Sequence, residues 1–372
     1  MKAVGIILAG GNNQGRLGAL TEHRAAAALP IGSSYRAIDF SLSNMSHSGI
    51  GKVAVLTQFN SRSLMDHISS AKWWNFGRKQ GGLFLFTPYL SNTNSHWFRG
   101  TADAMYQNIT FLEKTNADCV VITSGDSVYK MDYKKLIAYH KEKNADVTVV
   151  YQNMAQEELH KFGILEVNEE ARMIGFQEKP QDPKTNHASL GIYVITRTLL
   201  IELLEEVVAQ EKYNFVNDIV VGQKDRLQIF GYEFSGYWST ISSGIQSYYR
   251  TNMEFLQKDV RDLFYNEFPY IATKPKDEAP AKFNRGSTVQ NCVVGNGGIY
   301  NGHTENSVLF RKVFAGENSV IKNSIVMEGC YIGKNCVVEN AILDKDIVLS
   351  DGAEVRGESQ DNPLILKKGT EM

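Results

Sequence analysis

The chain has 372 residues, 43% of them hydrophobic and 22% charged, with a formal net charge of −2. That balance is ordinary for a globular protein and gives neither a nucleic acid nor a membrane surface an electrostatic handle. At roughly 100–200 residues per domain the length implies two domains, and the longest apolar runs fall short of the ~20 residues that span a bilayer. Four cysteines (Cys119, Cys292, Cys330 and Cys336) do not make a disulfide framework in so long a chain, which points to a reducing, cytoplasmic setting.

The chain opens with MKAVGIIL, which reads as a first strand rather than a cleaved leader. AVGIILAG (3–10), KVAVLTQ (52–58), ADCVVITSGD (117–126) and ADVTVVYQ (145–152) are short β-rich runs ended by turns. Helical patterns separate or follow them at 36–49, 61–70, 101–115 and 133–144. Strand–helix alternation predicts a mainly parallel sheet with helices on both faces, and ligands bind such sheets beyond the carboxyl ends of the strands. LAGG and TSGD both stand at such ends.

A further helix is expected across 242–264. The stretch 266–287 then carries three prolines and many charges and reads as a linker. Beyond it the period changes. Apolar residues fall at Val308, Phe314, Val320, Val326, Ile332 and Val338, six apart, then at Leu343, Leu349 and Val355 after one residue is dropped. Four residues after several of these comes a small or apolar side chain: Ser324, Cys330, Cys336, Ile342, Ile347 and Ala353. A hexapeptide period predicts a parallel β-helix whose sixth residues point inward. The domain plan is therefore an α/β domain over 1–262, a linker over 263–285 and a β-helix over 286–372. Cys330 and Cys336 have no zinc-site spacing and are assigned to the interior of the coil.

Gly10 and Gly11 let backbone amides approach an anion, and Arg16 can neutralise it. No GK[ST] follows, so the loop is not a P-loop. Taken alone, Asp126 could cap a turn and Lys179 could end a strand. The segments YRAIDFSLSNMSHSGI, WFRGTADAMYQN, SGDSVYKMDY, FGILEV, FQEKP and SLGIYVI, in that order, are more specific. With them the chain resembles sugar-1-phosphate nucleotidyltransferases, most closely the ADP-glucose pyrophosphorylases (glucose-1-phosphate adenylyltransferases) of bacterial glycogen synthesis.

The resemblance implies a Rossmann-like, mixed, mainly parallel sheet followed by a left-handed parallel β-helix. It implies attack of glucose 1-phosphate on the α-phosphate of ATP, with Mg²⁺ between two aspartates and cations around the phosphates. By carry-over, Asp126 matches the first metal aspartate. Gly10, Gly11, Gly125 and Gln107 match nucleotide-contacting positions, as does part of 97–103. Glu178 and Lys179 match sugar-phosphate contacts, and Ser189 to Tyr193 the strand beside the sugar pocket.

Against that pattern the chain departs in its charges. The loop GGNNQGR is one residue longer than the family's. RAAAALP places Ala26 and Ala27 where active members carry Lys and Pro. YWSTISS places Thr240 where they carry the second metal aspartate, and Ser127 follows Asp126 where they carry His. Ser34 replaces the lysine of the effector motif, while Arg36 is kept. In these departures the chain resembles the family's non-catalytic, GlgD-type subunit, and the resemblance implies a regulatory or structural role. The implied partner is a catalytic ADP-glucose pyrophosphorylase subunit in a hetero-oligomer, a tetramer. Mg²⁺ is not expected to bind productively, and ATP, ADP-glucose and glucose 1-phosphate remain candidate ligands. The alternatives are an active enzyme pairing Asp126 with another carboxylate such as Asp218, or a sensor that binds nucleotide or sugar phosphate without reaction.

Overall fold

A computed structural model describes residues 1–77, 81–89 and 96–372. The apolar runs form the expected sheet. Its first strands are β1 (Ala3–Leu8), β2 (Lys52–Leu56), β3 (Gly82–Phe86) and β4 (Cys119–Ser124). β1 pairs in parallel with β2 on one side and β4 on the other, and β3 extends the sheet beyond β2. β1, β2 and β4 are rich in Val, Ile and Leu because both of their faces are buried; β3 at the sheet edge is half-exposed. Val4 and Ile6 enter one core and Ile7 the other.

The rest of the sheet is mixed. β5 (Ser127–Tyr129) leaves it; β6 (Val147–Asn153), β7 (Gly163–Val167), β8 (Met173–Glu178), β9 (His187–Thr196) and β10 (Ile229–Glu233) stay in it. β9 runs antiparallel to β4 and to β6, with a bulge between Ser189 and Tyr193. β11 (Trp238–Thr240) pairs with β5 in a separate ribbon. The helix expected over 101–115 is two, Thr101–Tyr106 and Ile109–Glu113. At the break the Asn108 amide donates to the Ala104 carbonyl at 2.9 Å, taking an acceptor the helical ladder would use.

Lys282–Phe283 already pair with Ile299–Tyr300, and from there the chain winds as a parallel β-helix. Three ladders carry its inward residues. Tyr300, Ala315, Ile332 and Leu349 stack in one. Thr304, Ile321, Val338 and Val355 stack in the second. Leu309, Val326 and Leu343 stack in the third. Six of the nine expected inward positions are correct, and Val308, Phe314 and Val320 are one residue early. Phe314 and Val320 are partly exposed, and Val308 packs on the first domain. The reason is the coil length. From Thr304 to Val355 stacked residues are 17 apart, not 18. A residue is therefore lost on each of these coils, between Ile321 and Val326 as well as between Val338 and Leu343. For the same reason Ala341, not Ile342, fills the coil interior, with Cys330, Cys336 and Ile347.

The corners explain the sharp turns. Asn306, Asn323 and Asn340 recur once per coil with φ of 45°, 47° and 49°. Asparagine tolerates this left-handed region better than other residues with a side chain. Their amides also stack: Asn323 donates to Asn340 at 3.2 Å.

The two domains share one core. Val308, Ile325 and Ile342 on the outer face of the β-helix pack with Leu17, Leu20, Leu29 and Phe255. Within this seam the Arg24 guanidinium donates to both carboxylate oxygens of Asp344, at 2.6 and 2.7 Å.

Candidate functional site

Strand register decides which loops meet. Leu8 stands beside Leu56 on one side and Ser124 on the other. Ala9–Gly11, Thr57–Gln58 and Gly125–Asp126 therefore leave the sheet together at its carboxyl edge. The Gly125 amide donates to the Leu8 carbonyl at 2.9 Å, and the Thr57 hydroxyl to the Ala9 carbonyl at 3.1 Å.

The alanine run closes on this edge. Ala25 is extended (φ −65°, ψ 149°) and opens a single 3₁₀ turn over Ala26–Ala28. All three turn methyls are buried. A Cβ on Gly125 would lie 3.2 Å from that of Ala27 and 3.3 Å from that of Ala9. A side chain here would crowd the alanines under which SGD passes. The nearest cation in the sequence, Arg24, points away into the domain seam. Arg16 sits exposed on the short helix Gln14–Leu17.

Tertiary structure brings Thr240 to Asp126. Thr240 of β11 pairs with Ser127 of β5, and the Ile241 amide donates to the Asp126 carbonyl at 3.1 Å. The Ser124 hydroxyl donates to the Asp126 carboxylate. Thr240 Oγ1 lies 3.1 Å from Ser242 Oγ. Asp218 is elsewhere. Its carboxylate accepts from the Asn214 amide at 2.7 Å, capping a turn that packs on Thr101 through the Phe215 amide. Asp218 thus caps a turn beside 97–103.

That segment is held tightly. Gly100 passes so close to Tyr213 that a Cβ would lie 2.3 Å from its carbonyl oxygen. The buried Asp103 carboxylate accepts from the Arg99 amide at 2.8 Å, the Arg99 guanidinium at 3.0 Å and the Gln107 amide at 2.9 Å. Gln58 clamps the Phe98 backbone, donating at 3.3 Å and accepting at 3.0 Å. On the sugar side, Glu178 and Lys179 form an exposed pair at 3.4 Å. Lys179 has φ of 47°, and its amide donates to the Phe162 carbonyl at 3.0 Å. Burial pushes the Tyr193 phenol up to about 12; the Glu178 carboxylate adds to this and the Ser189 hydroxyl opposes it. Glu178, Ser189 and Tyr193 thus share one corner of the sheet.

Residues 4–258 match the family described as Nucleotidyl transferase, and residues 279–363 match GlmU-like, C-terminal hexapeptide. A curated protein of Clostridium novyi named glucose-1-phosphate adenylyltransferase is 38% identical over 320 residues, covering 85% of this chain and 83% of its own length. One of the same name from Mycoplasma mobile is 39% identical over 324 residues, covering 86% and 84%. A third, from Thermosipho africanus, is 40% identical over 321 residues, covering 86% and 77%. The chain belongs to the glucose-1-phosphate adenylyltransferase family.

Nucleotidyltransferases of this family use Mg²⁺. Magnesium asks for anionic oxygen ligands in octahedral array. At the paired ribbon the described residues bring the Asp126 carboxylate together with the hydroxyls of Thr240 and Ser242. Among the described residues no group of three or more His, Cys, Asp or Glu is arranged to hold a metal ion. The donor set fits Mg²⁺ poorly, and no step is routed through it.

For a member of this family the motif around Ser34 and Arg36 has a second interest. The Arg36 guanidinium donates to Ser63 Oγ at 2.8 Å and to the Ala28 carbonyl at 3.3 Å. It lines an enclosed cleft between the domains with Lys274, Lys276, Arg311, Glu328 and Lys345. The free volume is about 30 Å³, room for one water. Glu328 bridges Arg311 at 3.4 Å and Lys345 at 2.9 Å. Burial alone would raise its carboxyl, yet the Lys345 and Arg311 cations hold it at about 2. Sequence reasoning missed Arg311, Glu328 and Lys345. They lie roughly 300 residues from Arg36, and nothing local in the sequence marks them.

Proposed function

We propose that this chain is a regulatory or structural subunit in glycogen biosynthesis, acting in the cytoplasm. It turns over little by itself and associates with a catalytic glucose-1-phosphate adenylyltransferase, whose activity or affinity it changes. One observation carries the reading. The segment holding Ala26 and Ala27 and the strand holding Thr240 both abut the SGD turn, and neither brings a charge to it. Adenylyl transfer gathers negative charge between two phosphates. Removing one positioned electrostatic group costs ~10²–10³ in turnover. The loss here involves a lysine position and a metal-ligand position together. The exposed Arg16, on a loop one residue longer than the family's, supports the same reading.

The test is the purified chain with ATP, Mg²⁺ and glucose 1-phosphate, alone and mixed with a catalytic member of the family. Turnover alone within ~10-fold of an ordinary enzyme's ~10 s⁻¹ overturns the reading. So does a mixture that forms no complex and leaves the catalytic subunit's kinetics unchanged. Calorimetry with ATP, ADP-glucose and glucose 1-phosphate then separates a ligand-sensing subunit from a scaffold.

A further inference from the structure

Helix Ile245–Glu254, the 3₁₀ segment Gln156–Lys161 and the corners of the β-helix border an open groove. Its free volume is about 590 Å³, within the ~300–1,000 Å³ of small-molecule sites. Six of its fifteen lining residues are carboxamides: Gln246, Gln257, Gln360, Asn291, Asn306 and Asn323. The corner amides are held in a row, Asn291 donating to Asn306 at 2.7 Å and Asn323 to Asn340 at 3.2 Å. The side chains of Gln246, Gln257 and Gln360 make no hydrogen bond among the described residues.

The charges of the groove are balanced within it. The Arg250 guanidinium donates to both oxygens of Glu158 at 3.2 and 3.3 Å, and Lys161 donates to it at 2.9 Å. The Arg250 bonds foremost, against burial and with help from Lys161, hold the Glu158 carboxyl at about 2. Glu254 accepts from the Tyr237 hydroxyl at 2.5 Å and faces Arg250 at 4.0 Å. With Asp361 the lining holds three carboxylates against two cations, which disfavours an anion. Met253 and Leu256 are its aliphatic side chains, too few for an apolar ligand. A carboxamide both donates and accepts, as a sugar hydroxyl does.

We infer that this groove binds a chain of α-linked glucose units, its hydroxyls on the carboxamides and its ring C–H faces over Met253 and Leu256. Two features select a chain over a single sugar. The corner amides repeat at the ~4.8 Å spacing of stacked strands, on the order of one sugar ring. Lys161, Gln246, Ser247 and Asp361 also line a second pocket of about 280 Å³, which extends the groove to Gly244. A Cβ there would lie 3.9 Å from the Arg16 carbonyl oxygen, so the groove ends beside the glycine loop of the candidate site. A neutral oligosaccharide follows from the lining alone; that its units are α-linked glucose rests on the proposed role in glycogen biosynthesis.

The experiment is calorimetric titration of the full-length chain with maltoheptaose up to about 10 mM, to reach millimolar affinities. The expected Kd is about 1 mM or tighter, with glucose at least ~10-fold weaker. Gln246→Ala combined with Gln360→Ala should weaken maltoheptaose at least ~5-fold through lost hydrogen bonds. Gln257→Ala repeats the test beyond the end of the helix. All three side chains are exposed, and circular dichroism melting checks that the variants are folded. Saturating glucose 1-phosphate should leave the maltoheptaose Kd unchanged. No binding at the highest concentration, glucose binding as tightly as the chain, indifference to the glutamine variants, or displacement by glucose 1-phosphate overturns the inference. None of these readouts involves turnover. A chain active by itself would refute the regulatory role and leave a groove-bound glucan standing, whereas a silent groove leaves that role as it was.

Discussion

Replacing Asp344 by Asn tests what joins the two domains. The side chains of Arg24 and Asp344 are only 6% and 2% exposed, and the pair is bidentate. Asparagine keeps the shape and removes the charge. Arg24 then keeps one amide oxygen as an acceptor and Met327 Sδ at 3.6 Å, but no counter-charge, and the new amide donor faces its own donors. Breaking a buried pair from one side costs about 3–5 kcal/mol. At roughly 2–4 °C per kcal/mol for a domain of this size, the melting temperature should fall by roughly 6–20 °C. Replacing both partners, Arg24→Met with Asp344→Leu, should recover most of that loss, because no charge is left uncompensated. The assay is calorimetric and urea unfolding of wild type, both single variants and the double variant. A cost for Asp344→Asn below about 1 kcal/mol, the range of exposed pairs, would refute the reasoning.

Restoring Ala26→Lys, Ala27→Pro and Thr240→Asp together should raise adenylyltransferase turnover at least ~100-fold over wild type. The turn's amide donors are Ala28 and Leu29, so proline at 27 removes neither bond; a flat result counts against a dismantled reaction centre. Glu328 titrates at about 2 against an ordinary 4.5. Its folded-state pKa is depressed, so its contribution is whole above pH 4.5 and is lost as pH falls from there toward 2. Glu328→Gln should therefore flatten the stability–pH curve in that window, as read by urea midpoints. Gly100→Ala sets a Cβ 2.3 Å from the Tyr213 carbonyl, a backbone contact that cannot swing aside. It should cost about 1–3 kcal/mol in unfolding experiments.

The α/β strands were legible because buried parallel strands need unbroken apolar runs, and AVGIIL and CVVITS have them. The candidate site was legible in outline because its loops follow those runs directly. The β-helix was legible as a period, correct in register from Val326 onward and one residue early before it. Val308, Phe314 and Val320 are apolar for other reasons: Val308 meets the first domain and Phe314 stacks on Tyr331. The Asn306, Asn323 and Asn340 series, spaced by 17, was the signal that would have fixed the register.

By itself the sequence determined the two architectures, their order and the family, because periodicity and motif order are written along the chain. It also determined that Ala26 and Thr240 bring no charge. Only the tertiary structure decided that these two positions converge on one turn, since strand pairing sets Thr240 beside Ser127. It alone joined Arg24 to Asp344 and placed Glu328 between Arg311 and Lys345. Such contacts form when a β-helix packs on a sheet domain, and no spacing along the chain records where that seam falls.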